Sequence, residues 1–217
     1  MQASNSCRLY EFGKYWNDNM GAVQRTNAIL LSAKLPRGGI AWVGQLCRTN
    51  AFSNITGAGC PGLTGTINVV GAYAYVGGMT GTFNPAAPQV MWDSVAVAHE
   101  IGHNFNSPHT HCYINIPDNG KPPVDECYVK SSNQSYTCFD GTPSLPGPQG
   151  QGTGTLMSYC HLLAGGFSNM SFTFGLNHPW GNQPGRVPAR MRDYAEQRDA
   201  AVPGCFMGDG IFANGFQ

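Results

Sequence analysis

The stretch from residue 99 to residue 109 reads HEIGHNFNSPH, and the rest of the chain is best understood outward from it. Residues four apart lie on one face of an α-helix, so His99 and His103 can present two imidazoles to the same ion. Neutral imidazole is a common zinc ligand, and three protein ligands leave a fourth position for water. The spacing therefore predicts a helix that carries a zinc site, with His109 as the third ligand.

The helix has to end between the second and third histidines, because His109 reaches the ion only if the chain bends back. Apart from glycine, asparagine is the residue that most readily adopts the left-handed conformation that ends a helix. Asn106 lies at the required position, and Pro108 disfavours a helical conformation at Ser107. The local sequence therefore predicts a chain reversal at Asn106.

Glu100 follows the first predicted ligand, so its carboxylate is expected near the metal without binding it. Zinc lowers the pKa of a bound water towards about 7. Glu100 is then predicted to take the proton of that water and to pass it to the leaving amine. The alternative is an ordinary buried helix with incidental histidines, which the third histidine and the helix-ending asparagine disfavour.

Three other histidines are weighed against this set. His111 is the alternative third ligand, but it lies two residues beyond the motif spacing, and we expect it to be exposed or behind the ligands. His161 and His178 have no partner pattern, so both are predicted not to bind the metal.

The run resembles the motif of the metzincin clan, HExxHxxGxxH followed by a methionine turn. The match covers the three histidines and Glu100, with Asn106 where the clan has glycine. Residues 154–160, GTLMSYC, resemble the methionine turn. By that resemblance Met157 lies beneath the metal as a hydrophobic base without binding it. In the astacin and serralysin branches a tyrosine at the offset of Tyr159 approaches the metal; the resemblance implies that Tyr159 stabilises the oxyanion, and the alternative is a packing role.

Among the branches, the chain looks most like the bacterial reprolysin-like (adamalysin-related) peptidases. The supporting segments are GGIAWVGQLC at 38–47, VAHEIGHNFNSPHTHC at 97–112 and GTLMSYC. Thr110 departs from the adamalysin pattern, which has aspartate after the third histidine. Reprolysin-like domains also have more chain before the zinc helix than the 98 residues here. Either the first strands and helix of the domain lie outside this chain, or the domain is a compact variant.

The resemblance implies an α+β fold, with a twisted, mostly parallel sheet and helices above an active-site helix. We expect a catalytic domain over residues 1–205, with an upper part at 1–109 and an irregular lower part at 110–205. Residues 206–217 are expected to form a tail beyond the domain.

The composition excludes several other classes of function. Lys and Arg together number 12, as do Asp and Glu, so the formal net charge is zero and gives no general attraction to nucleic acids or anionic membranes. A hydrophobic content of 41% is enough for a globular core. No apolar run approaches the roughly 18 residues that a membrane span needs.

The eight cysteines include no CxxC pair, which disfavours a thiolate metal site and favours disulfides. Spacing alone leaves about 105 pairings open. Cys112 and Cys160 follow the two motif segments closely and, like Cys127 and Cys138, are expected to staple the lower part. Cys205 is expected to pin the end of the last helix. Disulfides need an oxidising compartment, so we expect a secreted protein whose export signal was removed or lies outside this chain.

The remaining patterns predict the elements around the site. Helices are expected at 17–33, at the motif with Asp93 or Ser94 as its N-cap, and at 187–202; strands at 39–46 and 67–76; loops at 48–65 and 117–154. The strand at 67–76 is expected to edge the cleft and to pair with an extended peptide.

These expectations together predict a monomeric zinc endopeptidase that acts on extracellular polypeptides. One alternative is a zinc-containing binding module derived from a metzincin that no longer turns over, which an intact Glu100 disfavours. Another is a zinc hydrolase with a substrate other than a peptide. Nothing in the residues excludes the latter.

Overall fold

The computed structural model describes residues 4–49, 51–82, 84, 91–129 and 135–206, and these form the α+β fold that was expected. Its helices are α1 (Asn5–Asn19), α2 (Trp92–Asn104) and α3 (Arg186–Ala201). Its strands are β1 (Ala28–Ser32), β2 (Gly38–Ala41), β3 (Ala51–Asn54), β4 (Thr66–Val70) and β5 (Tyr73–Gly77). Between α2 and α3 the described residues form short 3₁₀ turns and irregular chain.

The main sheet has the strand order β1-β5-β2, with β1 parallel and β2 antiparallel to β5. Strands β3 and β4 form a separate antiparallel pair. The expectation of a mostly parallel sheet is therefore wrong for the described residues. Only residues 33–37 connect β1 to β2, and a connection that keeps two strands parallel needs about a dozen residues. The chain therefore has to return in the opposite direction along the far side of β5.

The predicted helix at 17–33 is also wrong, because α1 ends at Asn19 and Ala28–Ser32 is a strand. Its apolar run, AILL, suits a buried strand as well as a helix, and pairing with β5 decides between them. The segment at 48–65, predicted as a loop, includes β3. The predicted strand at 39–46 ends at Ala41, where the chain turns towards α2.

The predicted strand at 67–76 is two strands that belong to different sheets. The extended conformation is interrupted at Gly71, between the end of β4 and the start of β5. A methyl group at Gly71 would lie 2.9 Å from the carbonyl oxygen of Arg48. Strand β5 is central in its sheet, so it does not edge the cleft as expected. The edge strand on that side is β2. The last predicted helix agrees with α3 to within one residue at each end.

All eight cysteines form disulfides, as predicted. The pairs are Cys7–Cys60, Cys47–Cys205, Cys112–Cys138 and Cys127–Cys160. The second pair joins the loop after β2 to the end of α3, so Cys205 does pin that helix. The predicted tail beyond Phe206 lies outside the described residues. None of the described helices combines the length and apolar character that crossing a bilayer requires.

Helix α2 lies between two hydrophobic clusters. Above it, α1 covers the sheet through Leu9, which packs with Tyr73 and Tyr75 of β5. Below it, Met157 lies in a second cluster with Val187 of α3. All five of these side chains are fully buried, so α2 lies between two closely packed layers.

Candidate metal centre

Helix α2 begins without a side-chain cap, so the predicted N-cap at Asp93 or Ser94 is wrong. Asp93 instead accepts hydrogen bonds from the backbone N–H groups of Thr80 and Gly81. These bonds tie the first turn of α2 to the chain after β5. A carboxylate in the first turn also favours the helix electrostatically.

The three predicted ligands converge at the other end of α2. The ring centroids of His99 and His103 are 4.8 Å apart, and that of His109 lies 5.1 Å from the first and 4.6 Å from the second. One nitrogen from each ring lies within 4.8 Å of the others. The chain reaches this arrangement through the predicted bend, since α2 ends at Asn104 and Asn106 has a φ of 68°.

Two backbone carbonyls orient the helical imidazoles. His99 Nδ1 lies 2.7 Å from the oxygen of Leu156, and His103 Nδ1 lies 2.7 Å from the oxygen of Ser107. A carbonyl oxygen only accepts, so each Nδ1 carries the proton and each Nε2 keeps its lone pair. This is the tautomer that a metal ligand needs.

The ring nitrogens of the three histidines are close enough to bind one cation together. Nε2 of His103 lies 3.1 Å from Nε2 of His109. Since Nε2 of His103 keeps its lone pair, it can accept a hydrogen bond from Nε2–H of His109 in one tautomer of that ring, and in the other tautomer both lone pairs are free to bind one metal ion. All three rings are neutral near pH 7, because burial lowers the pKa of His99 to about 3 and that of His103 to about 4, and also lowers that of His109. Neutral nitrogen donors of this kind suit zinc.

Glu100 lies beside the cluster and is 5% exposed. Its Oε2 has no hydrogen-bond partner among the described residues. Burial raises the pKa of this carboxyl to about 8, and a divalent cation nearby would lower it again. A methyl group at Gly39 of β2 would lie 2.2 Å from Oε1. Glycine at that position therefore leaves the space that the carboxylate occupies.

Gly39→Ala is expected to lower kcat/KM for peptide hydrolysis by about 100-fold, since a misplacement of about 1 Å at a reacting group can cost that much. Zinc content should not change, because the three atoms nearest to a methyl group at residue 39 all belong to Glu100. Steady-state kinetics and metal analysis of the purified variant would check both. Gly185→Ala is the matched control, because a methyl group there has no atom within 4 Å and the φ of −58° suits alanine. An unchanged kcat/KM in Gly39→Ala would contradict the expectation.

Met157 lies directly beneath α2 and is fully buried. A methyl group at Gly102 would lie 2.3 Å from its sulfur, so the helix approaches the methionine as closely as a glycine allows. The oxygen of Met157 accepts hydrogen bonds from both the N–H and the hydroxyl of Thr110. Thr110 follows His109 and thus couples the third imidazole to the turn that carries Met157.

Tyr159 lines the cluster on its open side. Its ring centroid lies 4.2 Å from that of His109, and its ring stacks on His99 at 5.8 Å. Burial raises the pKa of its phenol, and the nearby Glu100 acts in the same direction. Tyr159 thus remains a neutral hydrogen-bond donor next to the carboxylate.

The other histidines lie outside the imidazole cluster. His111 is fully buried and its ring stacks on that of His109 at 5.5 Å, so of the two expected states it takes the one behind the ligands and not the exposed one. Cys112 follows His111 in the chain, is also fully buried and forms the disulfide with Cys138. His161 stacks on Phe167, and His178 Nε2 bonds the oxygen of Thr153.

Two open cavities meet at Glu100. One, of about 590 Å³, is lined by residues 39–43 and by His103, His109 and Tyr159 among others. The other, of about 280 Å³, is lined by His99, His161, Leu162 and Phe167 among others. Gly39 of β2, Glu100 and Tyr159 line both, so the two cavities adjoin at the imidazole cluster and beside the edge strand β2.

Comparison with known families agrees with this arrangement. A family model described as metallo-peptidase family M12 matches residues 1–171, more than three quarters of the chain. The chain belongs to the M12 metallopeptidases. It is a reprolysin-like member, as the motif segments indicated. M12 metallopeptidases use zinc, and the cluster of His99, His103 and His109 is able to hold such an ion. A comparison with curated proteins gave no match.

Several residues that shape the site could not be found from local sequence. Gly39, Leu156 and Ser107 contribute space or backbone oxygens, which leave no pattern of side-chain types. Asn104 is fully buried and donates to the oxygens of Trp42 and Tyr73, holding α2 against β2 and β5. The position of Asn104 directly after the predicted ligand His103 was the one feature of the sequence that could have indicated this role.

Proposed function

We propose that this M12 metallopeptidase is a zinc-dependent endopeptidase that cleaves extracellular polypeptides, with His99, His103 and His109 as zinc ligands and Glu100 as the general base. The observation that carries the proposal is the juxtaposition of three neutral imidazoles with a buried carboxylate at the floor of an open cleft. A structural zinc site needs no base and is usually closed by a fourth protein ligand.

A zinc ion in this site would supply a Lewis acid that polarises the scissile carbonyl and makes water acidic enough to attack near neutral pH. Glu100 accepts a proton from the water while the water oxygen bonds to the carbonyl carbon. It then returns that proton to the amide nitrogen as the C–N bond breaks, so that a carboxylic acid and an amine leave. We further propose that Tyr159, kept neutral by burial, donates a hydrogen bond to the oxyanion.

The edge strand β2 supports a polypeptide as the substrate. It pairs with β5 on one side only among the described strands, so its other edge faces the cleft. An extended peptide can add to such an edge through main-chain hydrogen bonds. The two cavities that share Glu100 and Tyr159, of about 590 and 280 Å³, offer space for residues on both sides of a scissile bond, which favours endopeptidase activity.

Four disulfides support secretion, because such bonds persist in oxidising compartments. The zero net charge gives no long-range attraction to polyanions, so we propose no nucleic-acid partner. We also propose that the chain acts as a monomer.

Metal removal tests the proposal. The purified protein is expected to hold a single zinc ion per chain and to cleave casein. A chelator should abolish cleavage, and added zinc should restore it, because the ion supplies the Lewis acid. Zinc retained without cleavage of casein or any member of a peptide library would favour the rival binding module. Cleavage that persists after the metal is removed would contradict the zinc mechanism.

A further inference from the structure

Helix α3 carries a row of hydrogen-bond donors on one face, although it lies beyond the residues that match the M12 family. Arg190, Tyr194 and Arg198 are spaced four apart and therefore share that face. Each donates to a backbone oxygen of the upper chain: Arg190 to Asn106, Tyr194 to Gly44 and Arg198 to Leu46. The Cys47–Cys205 disulfide fixes the end of the helix against the same loop.

Arg190 differs from the other two because its acceptor lies in the bend between two proposed zinc ligands. Its Nε donates to the oxygen of Asn106 at 2.6 Å, and its Nη2 donates to Oδ1 of the same residue at 3.1 Å. One planar guanidinium thus holds both the backbone and the side chain of the left-handed residue. Asn106 is not a glycine, so its left-handed conformation carries a cost that such bonds offset.

The opposite side of Asn106 is closed by Gly44. A methyl group at position 44 would lie 2.9 Å from Asn106 Oδ1, so the loop touches the asparagine side chain. The N–H of Gly44 donates to the oxygen of His103 at 2.9 Å. Asn106 is therefore clamped between the loop after β2 and Arg190, three residues before His109.

We propose that Arg190 is a positioning residue for the metal site, acting through Asn106 to hold His109 where its Nε2 meets that of His103. The proposal rests on the proposed function, because it takes His109 as a zinc ligand. Arg190 itself lines neither of the two cavities that meet at Glu100. It tightens metal binding by keeping the third ligand in place before the ion arrives.

The test is a zinc titration of the full-length chain in competition with a chromophoric chelator. Arg190→Met keeps an unbranched side chain as far as the position of Nε and removes both donors, so zinc affinity should fall by about 10–100-fold, the usual effect of losing a partner just outside the ligands. The visible absorption of the cobalt(II) form should change shape as well, since it reports the coordination geometry. Arg198→Met is the matched control, because it removes a similar bond from the same helix to Leu46.

A purely structural role predicts a different pattern. Both variants would then unfold at lower temperature, while zinc would raise the unfolding temperature of each as much as that of the wild type. Wild-type affinity and an unchanged cobalt spectrum in Arg190→Met would overturn the proposal. If that variant is not recovered folded, Arg190→Lys decides, because an ammonium lacks the planar fork and should give intermediate affinity; wild-type affinity there would overturn the proposal too. A wild-type chain that binds no zinc would instead refute the proposed function.

Discussion

Glu100→Gln is expected to lower kcat for peptide cleavage by about 10²–10⁴-fold, the usual contribution of a positioned general base. The amide has the size of the carboxylate but cannot take the proton of the attacking water. Zinc content should stay at the wild-type level, because Glu100 is proposed not to bind the ion. Cleavage of casein and of a fluorogenic peptide, together with metal analysis, measures both quantities.

The loss of activity in Glu100→Gln should not come with a loss of stability. Glu100 is buried with an unpartnered oxygen, and burial already disfavours its charged form. A neutral amide avoids that desolvation cost, so the unfolding temperature should be unchanged or higher. Glu196→Gln provides the control, since this side chain on α3 is 70% exposed and far from the cleft. Equal cleavage rates in Glu100→Gln and wild type would remove Glu100 from the mechanism.

The site could be predicted from sequence because its determinants are local. The histidines at 99 and 103 share a helix face for any α-helix, and Asn106 ends the helix through its own backbone preference. Neither inference needs knowledge of the sheet. The structure accordingly brings together the three imidazoles that the spacing predicted, and the family match is consistent with them.

The sheet could not be predicted in the same way, because its pairing depends on distant residues. The run at 28–31 is apolar throughout and carries no clear period, so its sequence suits a helix and a strand equally well. Its pairing with β5 makes it a strand. The break at Gly71 likewise depends on Arg48, to whose oxygen Ala72 donates. Local preference is weak where partners from elsewhere in the chain decide.

The supports of the site are equally distant. Arg190 lies 84 residues from Asn106, and no pattern in either segment indicates the contact. Gly39 provides space for Glu100 because it has no side chain. In a single sequence, a glycine needed for space looks the same as a glycine needed for a turn. The residues proposed to do the chemistry were thus predictable, whereas those that hold them in place required the fold.

His109→Phe is expected to abolish zinc binding and cleavage, whereas His111→Phe should retain both. The phenyl ring keeps the aromatic contacts of residue 109 with Tyr159 and residue 111 but offers no nitrogen. With only His99 and His103 left, affinity should fall by more than the 10–100-fold typical of partners outside the ligands. Equilibrium dialysis against zinc and casein cleavage would measure the two effects.

His111→Phe is a closely matched control because the two positions share one stack of rings. His111 is fully buried, and neither of its nitrogens has a hydrogen-bond partner among the described residues. Burial lowers its pKa to about 4, so the replacement removes no charge at neutral pH and no hydrogen bond. Phenylalanine should therefore pack in its place at little cost. If zinc were lost from His111→Phe but kept by His109→Phe, the third ligand would be His111, and the bend at Asn106 would serve packing instead of metal binding.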